Sequence, residues 1–312
     1  MLTVGVDAHK RVHVALIIDE TGRELGHWRG PNSGRGWCDL QEWVLGFGDA
    51  TQWGIEGSWG YGRGLAQHLV EAHETVYEVN PKWTAAGRRR ARRPGKTDRL
   101  DARAVALFVR QEAPGLPSVS VDDGSSILDL LTTARASVLA EATRLRNQLH
   151  ALLVQLDPEY QGQLRRLDTQ AALDRLEHYM VEGGTPLQQH RAASVRRVTE
   201  RLRPALAQVK DLACQIGALS SAFAPLTEIC GVNVLTAGTL AGILGPGTRF
   251  ASEAQLAAYA GVAPLEASSA AVVRHRLNRG GNRRLNAVIH RIAVTQLQFW
   301  PPARAYVERR TG

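Results

Sequence analysis

The chain has 312 residues and 44% hydrophobic content, which is enough for two domains, or for one domain with a large insertion. No stretch approaches eighteen uninterrupted apolar residues and no signal-peptide pattern begins the chain, so we expect neither a membrane span nor export. The three cysteines, Cys38, Cys214 and Cys230, lack metal-ligand spacing, and we expect them to be buried, reduced thiols of a cytoplasmic protein. The net charge of +8, carried mainly by arginine, favours a nucleic-acid partner.

Strand and helix patterns alternate over the first 110 residues or so. A turn at 19–22 separates the second strand from a polar third strand. The other predicted elements are the strands Leu2–Val6, Val12–Ile18, Thr51–Ile55 and Val76–Val79 and the helices Gly36–Phe47 and Gly60–Glu74. This order, with acidic residues at strand ends, resembles the ribonuclease H-like fold. Chemistry in open α/β sheets collects at the carboxyl ends of strands, so we expect a site there.

Four carboxylates stand at positions that suggest a common site. Asp7 and Glu56 each end a predicted strand, whereas Asp98 and Asp101 lie three residues apart at the start of a predicted helix and face the same way. Two divalent ions about 4 Å apart serve phosphodiester chemistry, and carboxylate oxygens suit Mg²⁺ or Mn²⁺. The alternative is that the helix pair favours its dipole and the other two acids are ordinary turn residues.

The middle of the chain predicts two long helices after a linker at 114–126. Heptad-spaced apolar residues occur at Val138, Ala142, Leu145, Leu149, Leu152 and Leu156, and again at Leu202, Leu206, Val209, Ala213 and Ile216. The two helices form either an antiparallel hairpin within one chain or a seam between chains. We favour dimerisation, because a long, weakly apolar hairpin has little else to bury against.

The C-terminal part contains a phosphate-binding pattern and a candidate nucleophile. Leu226–Ala237 resembles a helix-hairpin-helix, although Asn233 stands where a second glycine is usual. Ser268 and Ser269 precede a cluster of arginines, where a hydroxyl group could attack phosphorus. The alternative is a serine-rich loop or helix cap. A last helix is predicted from about Arg283 to Phe299, and His9, His13 and His275 are proton shuttles or structural histidines.

Two arginine-rich segments of the sequence contain no acidic residue, whereas an ordinary solvated helix face alternates acidic and basic residues. We expect both segments to hold nucleic-acid backbones. Their arginines are Arg88, Arg89, Arg90, Arg92 and Arg93 in the first segment, and Arg274, Arg276, Arg279, Arg283 and Arg284 in the second.

Taken together, these motifs resemble the DEDD transposases of the bacterial insertion sequence 110 family, which are recombinases guided by a bridge RNA. The family's opening strand, second acid and paired aspartates are matched by Val4–Lys10, Gly54–Gly57 and Lys96–Ala102. Its C-terminal transposase domain is matched from Cys230–Val232 through Arg249–Phe250, and then at Ala258–Pro264, Ser268–Ser269 and Asn278–Leu285. The resemblance covers nearly the whole chain.

The resemblance implies three parts: a RuvC-like DEDD domain over residues 1–115, a helical coiled-coil oligomerisation segment over 116–222, and a mostly α-helical C-terminal transposase domain over 223–312. It also implies that a serine from another subunit links covalently to DNA while Mg²⁺, or Mn²⁺, is held by Asp7, Glu56, Asp98 and Asp101. The implied partners are target and donor DNA, a structured non-coding guide RNA, and further copies of the chain, as a dimer and as a tetramer on DNA. The implied location is the bacterial cytoplasm at the nucleoid.

Two alternative functions stay open, and two departures from the family pattern favour the second of them. Ala270 replaces the glycine that commonly follows the serine pair, and relatives continue with a basic helical segment beyond this chain's last residue, Gly312. One alternative is a metal-only RuvC-like nuclease of the junction-resolvase type, in which the serines are passive. The other alternative is a non-catalytic RNA- and DNA-binding remnant of such an element.

Overall fold

The computed structural model describes residues 1–48, 51–84, 97–268, 272, 274–278 and 280–311. These residues form two compact units, one of residues 1–123 with 243–294 and one of residues 124–242 with 295–312. The three-part domain division of the sequence stays a prediction. The predicted site residues that lie outside the described part are Ser269, Arg279, Arg88, Arg89, Arg90, Arg92 and Arg93.

A five-stranded mixed sheet forms the centre of the first unit. Its strands are β1 (Leu2–Ala8), β2 (Val12–Ile18), β3 (Glu24–Pro31), β4 (Thr51–Glu56) and β5 (Thr75–Val79). The spatial order is β3-β2-β1-β4-β5, in which β2 pairs antiparallel with β1 and β3 while β4 is parallel to β1 and β5. The α/β character predicted for the N-terminal part is confirmed.

Helices cover both faces of this sheet because its strands alternate two sets of buried apolar residues. On one face α1 (Gly34–Leu45) and α2 (Arg63–Glu71) pack Leu40 and Leu65 against Trp53 and Ile55. On the other face lies α3 (Asp98–Glu112), whose Val105 packs in a cluster with Val79 of β5. The acids at the start of α3 are therefore carried on the second face.

The second unit contains the two long helices that the heptads predicted. They are α4 (Gly124–Val154) and α6 (Pro186–Ala218), with the short α5 (Gln170–Glu177) between them in sequence. The long helices run antiparallel, because Glu141 pairs with Arg201 whereas Leu128 and Ile216 both lie beside Gly238. Heptad residues of α4 and α6 share one buried cluster with α5, so the apolar seam is filled within the chain, as the hairpin alternative expected. Oligomerisation through this segment stays a prediction.

The helix-hairpin-helix-like stretch has an unusual first arm. Residues Ser220–Glu228 form 3₁₀ turns, and Gly231 then adopts a φ of 87° before α7 (Val234–Leu244) begins. Asn233, at the position of the missing glycine, caps this helix: its Oδ1 accepts a hydrogen bond from the N–H of Thr236 at 2.9 Å. The side chain thus binds an N–H group that such a motif would present to phosphate.

The C-terminal residues of the first unit begin with α8 (Glu253–Ala260), which ends at Gly261 with a φ of 71°. A hairpin of β6 (Leu265–Glu266) and β7 (His275–Arg276) follows, then α9 (Arg283–Phe299), the last helix predicted from the sequence. A further helix, α10 (Pro301–Thr311), belongs to the second unit. Among the described residues, no helix combines the length and apolarity needed to cross a membrane.

Candidate active site

Two glycines allow α3 to lie unusually close to the sheet. A Cβ atom on Gly5 of β1 would stand 2.2 Å from the carbonyl oxygen of Ala102 and 2.3 Å from the backbone nitrogen of Ala106. A Cβ atom on Gly54 of β4 would stand 2.3 Å from a methyl carbon of Val109. Only glycine permits such approaches. Because Ala102 sits over Gly5, the preceding turn of α3 reaches the carboxyl ends of β1 and β4.

The four predicted acids converge at this place. Asp7 and Glu56 are directly paired in the parallel ladder between β1 and β4, so their side chains leave the sheet on the same face and at the same edge. Asp98 and Asp101 form the first turn of α3, which Thr97 caps by accepting a hydrogen bond from the N–H of Leu100 at 3.3 Å. Both Asp98 and Asp101 act electrostatically on Asp7.

The electrostatics of the cluster favour a positive charge in it. Burial raises the pKa of Asp7, the negative charges of Asp101 and Asp98 raise it further, and His9 acts in the opposite direction. The ion pairs that the structure describes for Asp7 and Asp98 are both with the Nε2 atom of His9, at 3.0 and 3.6 Å. A buried carboxylate among other carboxylates is costly to ionise unless a cation lies nearby.

The donor set fits a divalent metal. One oxygen from Asp7, one from Asp98 and one nitrogen from His9 lie within 4.8 Å of one another. Asp7 and Asp101 are buried, whereas Asp98 and His9 are exposed, so the cluster is open on one side. Carboxylate oxygens suit both Mg²⁺ and Mn²⁺, and the group that the described residues form does not include Glu56 or Asp101.

Two further residues join the acids. The Thr84 hydroxyl donates to Oε2 of Glu56 at 3.1 Å and shares its proton with the carbonyl oxygen of Pro81 at the same distance. No local sequence pattern marks Thr84, because it meets Glu56 only through the fold. His9 has a weak signal: it lies two residues beyond Asp7 along an extended chain, and such residues share a face.

No hydrogen bond described in the structure joins Ser268 to the four acids. This serine follows β6, and the hydrogen bonds described for its hydroxyl group are to Arg274. The Oγ atom accepts from the backbone N–H at 3.2 Å, and the O–H group donates to the carbonyl oxygen at 3.5 Å. Four of the predicted nucleic-acid-binding arginines lie on the same hairpin and on the first turn of α9, and all are exposed: Arg274, Arg276, Arg283 and Arg284. Their charges border the serine in the sequence, as predicted.

A second buried charge cluster, which the sequence did not predict, joins the C-terminal residues of the first unit to its sheet. The Arg249 side chain is 1% exposed; it forms an ion pair with Glu78 of β5 and donates to the carbonyl oxygens of Ser118 and Ile243 at 3.0 and 3.1 Å. Burial raises the pKa of Glu78, and Arg249 opposes that shift.

Hydrogen bonds extend this cluster towards α9. Oε2 of Glu78 also accepts from Trp59 at 2.8 Å and from the hydroxyl of Tyr259 at 3.5 Å. The Tyr259 oxygen in turn accepts from the side-chain amide of Asn282, and Oδ1 of Asn282 accepts from the N–H of Leu285 at 3.1 Å. The beginning of α9 is thereby tied to β5.

Comparison with known proteins gives matches in both the N-terminal and the C-terminal part of the chain. A family model for DEDD transposases of IS110 elements, described as "Transposase", matches residues 4–158, and one described as "Transposase IS116/IS110/IS902 family" matches residues 224–308. A curated relative from Streptomyces coelicolor, the "Insertion element IS110 uncharacterized 43.6 kDa protein", is 31% identical over 264 residues. That alignment covers 69% of this chain and 64% of the relative, so the chain spans less than two thirds of the relative's length. The chain belongs to the IS110 family of transposases.

Proposed function

We propose that this chain is an RNA-guided, site-specific DNA recombinase of an insertion sequence. The observation that carries the proposal is the convergence of four carboxylates from two strand ends and one helix start. In this proposal the strand order β3-β2-β1-β4-β5 belongs to a ribonuclease H-like, RuvC-like domain. The metal ligands are Asp7, Glu56, Asp98 and Asp101, and the nucleophile is Ser268 or Ser269.

The four acids would hold the metal. When bound, Mg²⁺ or Mn²⁺ stabilises negative charge on the oxygens of the scissile phosphodiester. The carboxylates of Asp7 and Asp101 lie on the buried side of the cluster, and that of Asp98 lies on its exposed side. Thr84 fixes one oxygen of Glu56, which restricts the rotation of that carboxylate.

The serine makes and breaks the covalent bond. Its Oγ forms a bond to phosphorus, the bond from phosphorus to one deoxyribose oxygen breaks, and the hydroxyl proton is transferred so that the deoxyribose oxygen leaves as a hydroxyl group. Rejoining reverses these steps with the hydroxyl group of a different DNA end. The number of phosphoester bonds is unchanged, so no external energy source is needed. Arg274 and Arg276 lie on the same hairpin as Ser268 and supply positive charge for the phosphate.

The partners follow from the family resemblance and from charge. A structured non-coding RNA pairs with donor and target DNA, and the exposed arginines bind the nucleic-acid backbones. Within one chain, Ser268 is hydrogen-bonded to its own hairpin. This agrees with a site that is completed only when subunits assemble on DNA, with the serine of one copy at the acids of another.

The test is a recombination assay with the full chain, the element's own non-coding RNA, Mg²⁺, and end-labelled donor and target DNA. We expect recombinant DNA and, on a denaturing gel, a protein-linked DNA species. The double variant Ser268→Ala with Ser269→Ala should lose the linked species, and Asp7→Asn should lose strand cleavage altogether. The two single serine variants identify the nucleophile.

Two outcomes would contradict the proposal. Strand cleavage that persists in the double serine variant, with no linked species in the unaltered protein, identifies a metal-only nuclease. Binding of RNA and DNA by the unaltered protein without any cleavage identifies a non-catalytic remnant.

A further inference from the structure

We propose that His9 is a direct metal ligand, so that the site combines the carboxylates with one imidazole nitrogen. The inference rests on the proposed function, because it concerns the same metal. It goes beyond the four acids, since it assigns a nitrogen donor and therefore a preference among metals.

The distances match those between neighbouring ligands of one ion. Nε2 of His9 lies 3.0 Å from Oδ2 of Asp7 and 3.6 Å from Oδ1 of Asp98. Two adjacent ligands at about 2.1 Å from an octahedral ion lie about 3.0 Å apart, whereas a separation of about 3.6 Å requires an angle at the ion that is widened to roughly 120°. The Nε2 atom therefore lies at a ligand-to-ligand distance from Asp7 and somewhat farther from Asp98, and the three donor atoms lie within 4.8 Å of one another.

The backbone places the imidazole there without relying on an ion. His9 directly follows β1, and its N–H donates to the carbonyl oxygen of Val12 at 3.1 Å, which closes the turn into β2. Asp7 and His9, two residues apart on an extended segment, point to the same side. The side chain of His9 is 48% exposed, so the ring can exchange a hydrogen bond to Asp7 for a metal bond without being withdrawn from a core.

An imidazole ligand changes the preference of the site among metals. Mg²⁺ binds oxygen ligands almost exclusively, whereas first-row transition metals accept imidazole nitrogen and bind mixed nitrogen and oxygen sites more tightly. The site should therefore favour Mn²⁺ over Mg²⁺ because of His9. Substitution of His9 should remove this preference while leaving an all-carboxylate Mg²⁺ site.

Electron spin-echo envelope modulation of Mn²⁺ bound to the full chain tests the inference, because coordinated imidazole gives a characteristic ¹⁴N modulation. The matched control is His27→Ala, since His27 is similarly exposed and lies 3.9 Å from a different acid, Glu24. We expect the modulation in the unaltered protein and in His27→Ala, and its loss in His9→Ala. Loss of even an outer partner of a metal ligand costs about tenfold or more in affinity. The Mn²⁺ affinity of His9→Ala should therefore fall at least about tenfold, and its Mg²⁺ affinity less.

The outcomes separate this inference from the proposed function. If Asp7→Asn loses Mn²⁺ binding but ¹⁴N modulation persists in His9→Ala, or is missing from the unaltered protein, the role of His9 is wrong and the acid site stands. If Asp7→Asn binds Mn²⁺ like the unaltered protein, the acid site itself is wrong and the inference falls with it.

Discussion

Asp7, which is buried, and Glu78, which is largely buried, lie on opposite faces of one sheet and differ in the groups that surround their carboxylates. Glu78 shares the face of Val76, whereas Asp7 points towards α3. Burial raises the pKa of both carboxyl groups. Glu78 receives hydrogen bonds from Trp59, Tyr259 and a buried arginine, while Asp7 has an imidazole and neighbouring carboxylates.

The difference separates a structural charge from a functional one. A carboxylate that pairs with a guanidinium group of the same chain needs no further positive charge once the protein has folded. A carboxylate that lies close to other acids is destabilised by their negative charge, and an external cation can relieve this repulsion. The Glu78 cluster should therefore govern stability, and the Asp7 cluster should govern metal binding.

The largest expected effect is a loss of stability when the ion pair of Glu78 is broken. Arg249→Met removes one partner of a buried pair, which costs about 3–5 kcal/mol in the free energy of unfolding. Urea denaturation followed by circular dichroism measures this loss. The control is Arg201→Met, since Arg201 and Glu141 form an exposed pair worth at most about 1 kcal/mol. Equal losses in the two variants would show that the buried cluster has no special structural role.

A smaller effect is expected from the glycine that brings α3 to the acids. Gly5→Ala forces backbone atoms of α3 away from β1, and overpacking of this kind costs about 1–3 kcal/mol. The same shift separates Asp7 from Asp98, so Mg²⁺ affinity should fall together with stability. The matched control is Gly34→Ala, because a Cβ atom on Gly34 meets no atom within 4 Å. Unchanged metal affinity in Gly5→Ala would contradict the positioning role of this close contact.

The smallest effect concerns an acid near the surface. Hydrogen bonding by Arg166 lowers the pKa of Asp168, with Arg146 contributing. The stabilisation is therefore present above the ordinary aspartate pKa of about 3.9 and is lost as the pH falls through the lower, folded-state value. Asp168→Asn should cost less than about 1 kcal/mol at neutral pH and flatten the acid side of the stability profile. An unchanged acid limb in the variant would assign that pH dependence to other groups.

The sequence predicted the helices and strands of this fold better than it predicted which of them pack against each other. Apolar alternation defined the strands, and strand ends located Asp7 and Glu56, because both signals are local. Heptads located α4 and α6 but did not decide between a partner helix in the same chain and one in a second chain. An apolar seam looks the same in either case.

The contacts that the sequence could not predict join residues far apart in the chain. Arg249 and Glu78 are separated by 171 positions, and neither has a neighbouring residue that indicates the other. Thr84 likewise meets Glu56 only because the chain after β5 returns to the sheet edge. The close approach at Gly5 required the position of α3, since a glycine inside a strand can equally mark a bulge or a tight bend.

The central claim is that the acids around Asp7 form a divalent-cation site, and calorimetric titration with Mg²⁺ tests it most directly. The unaltered chain and Glu24→Gln, which loses an acid paired with Arg99 outside the cluster, should bind Mg²⁺ with equal affinity. Asp7→Asn should give no binding isotherm while remaining folded. Binding of Mg²⁺ by Asp7→Asn with unchanged affinity would contradict the claim.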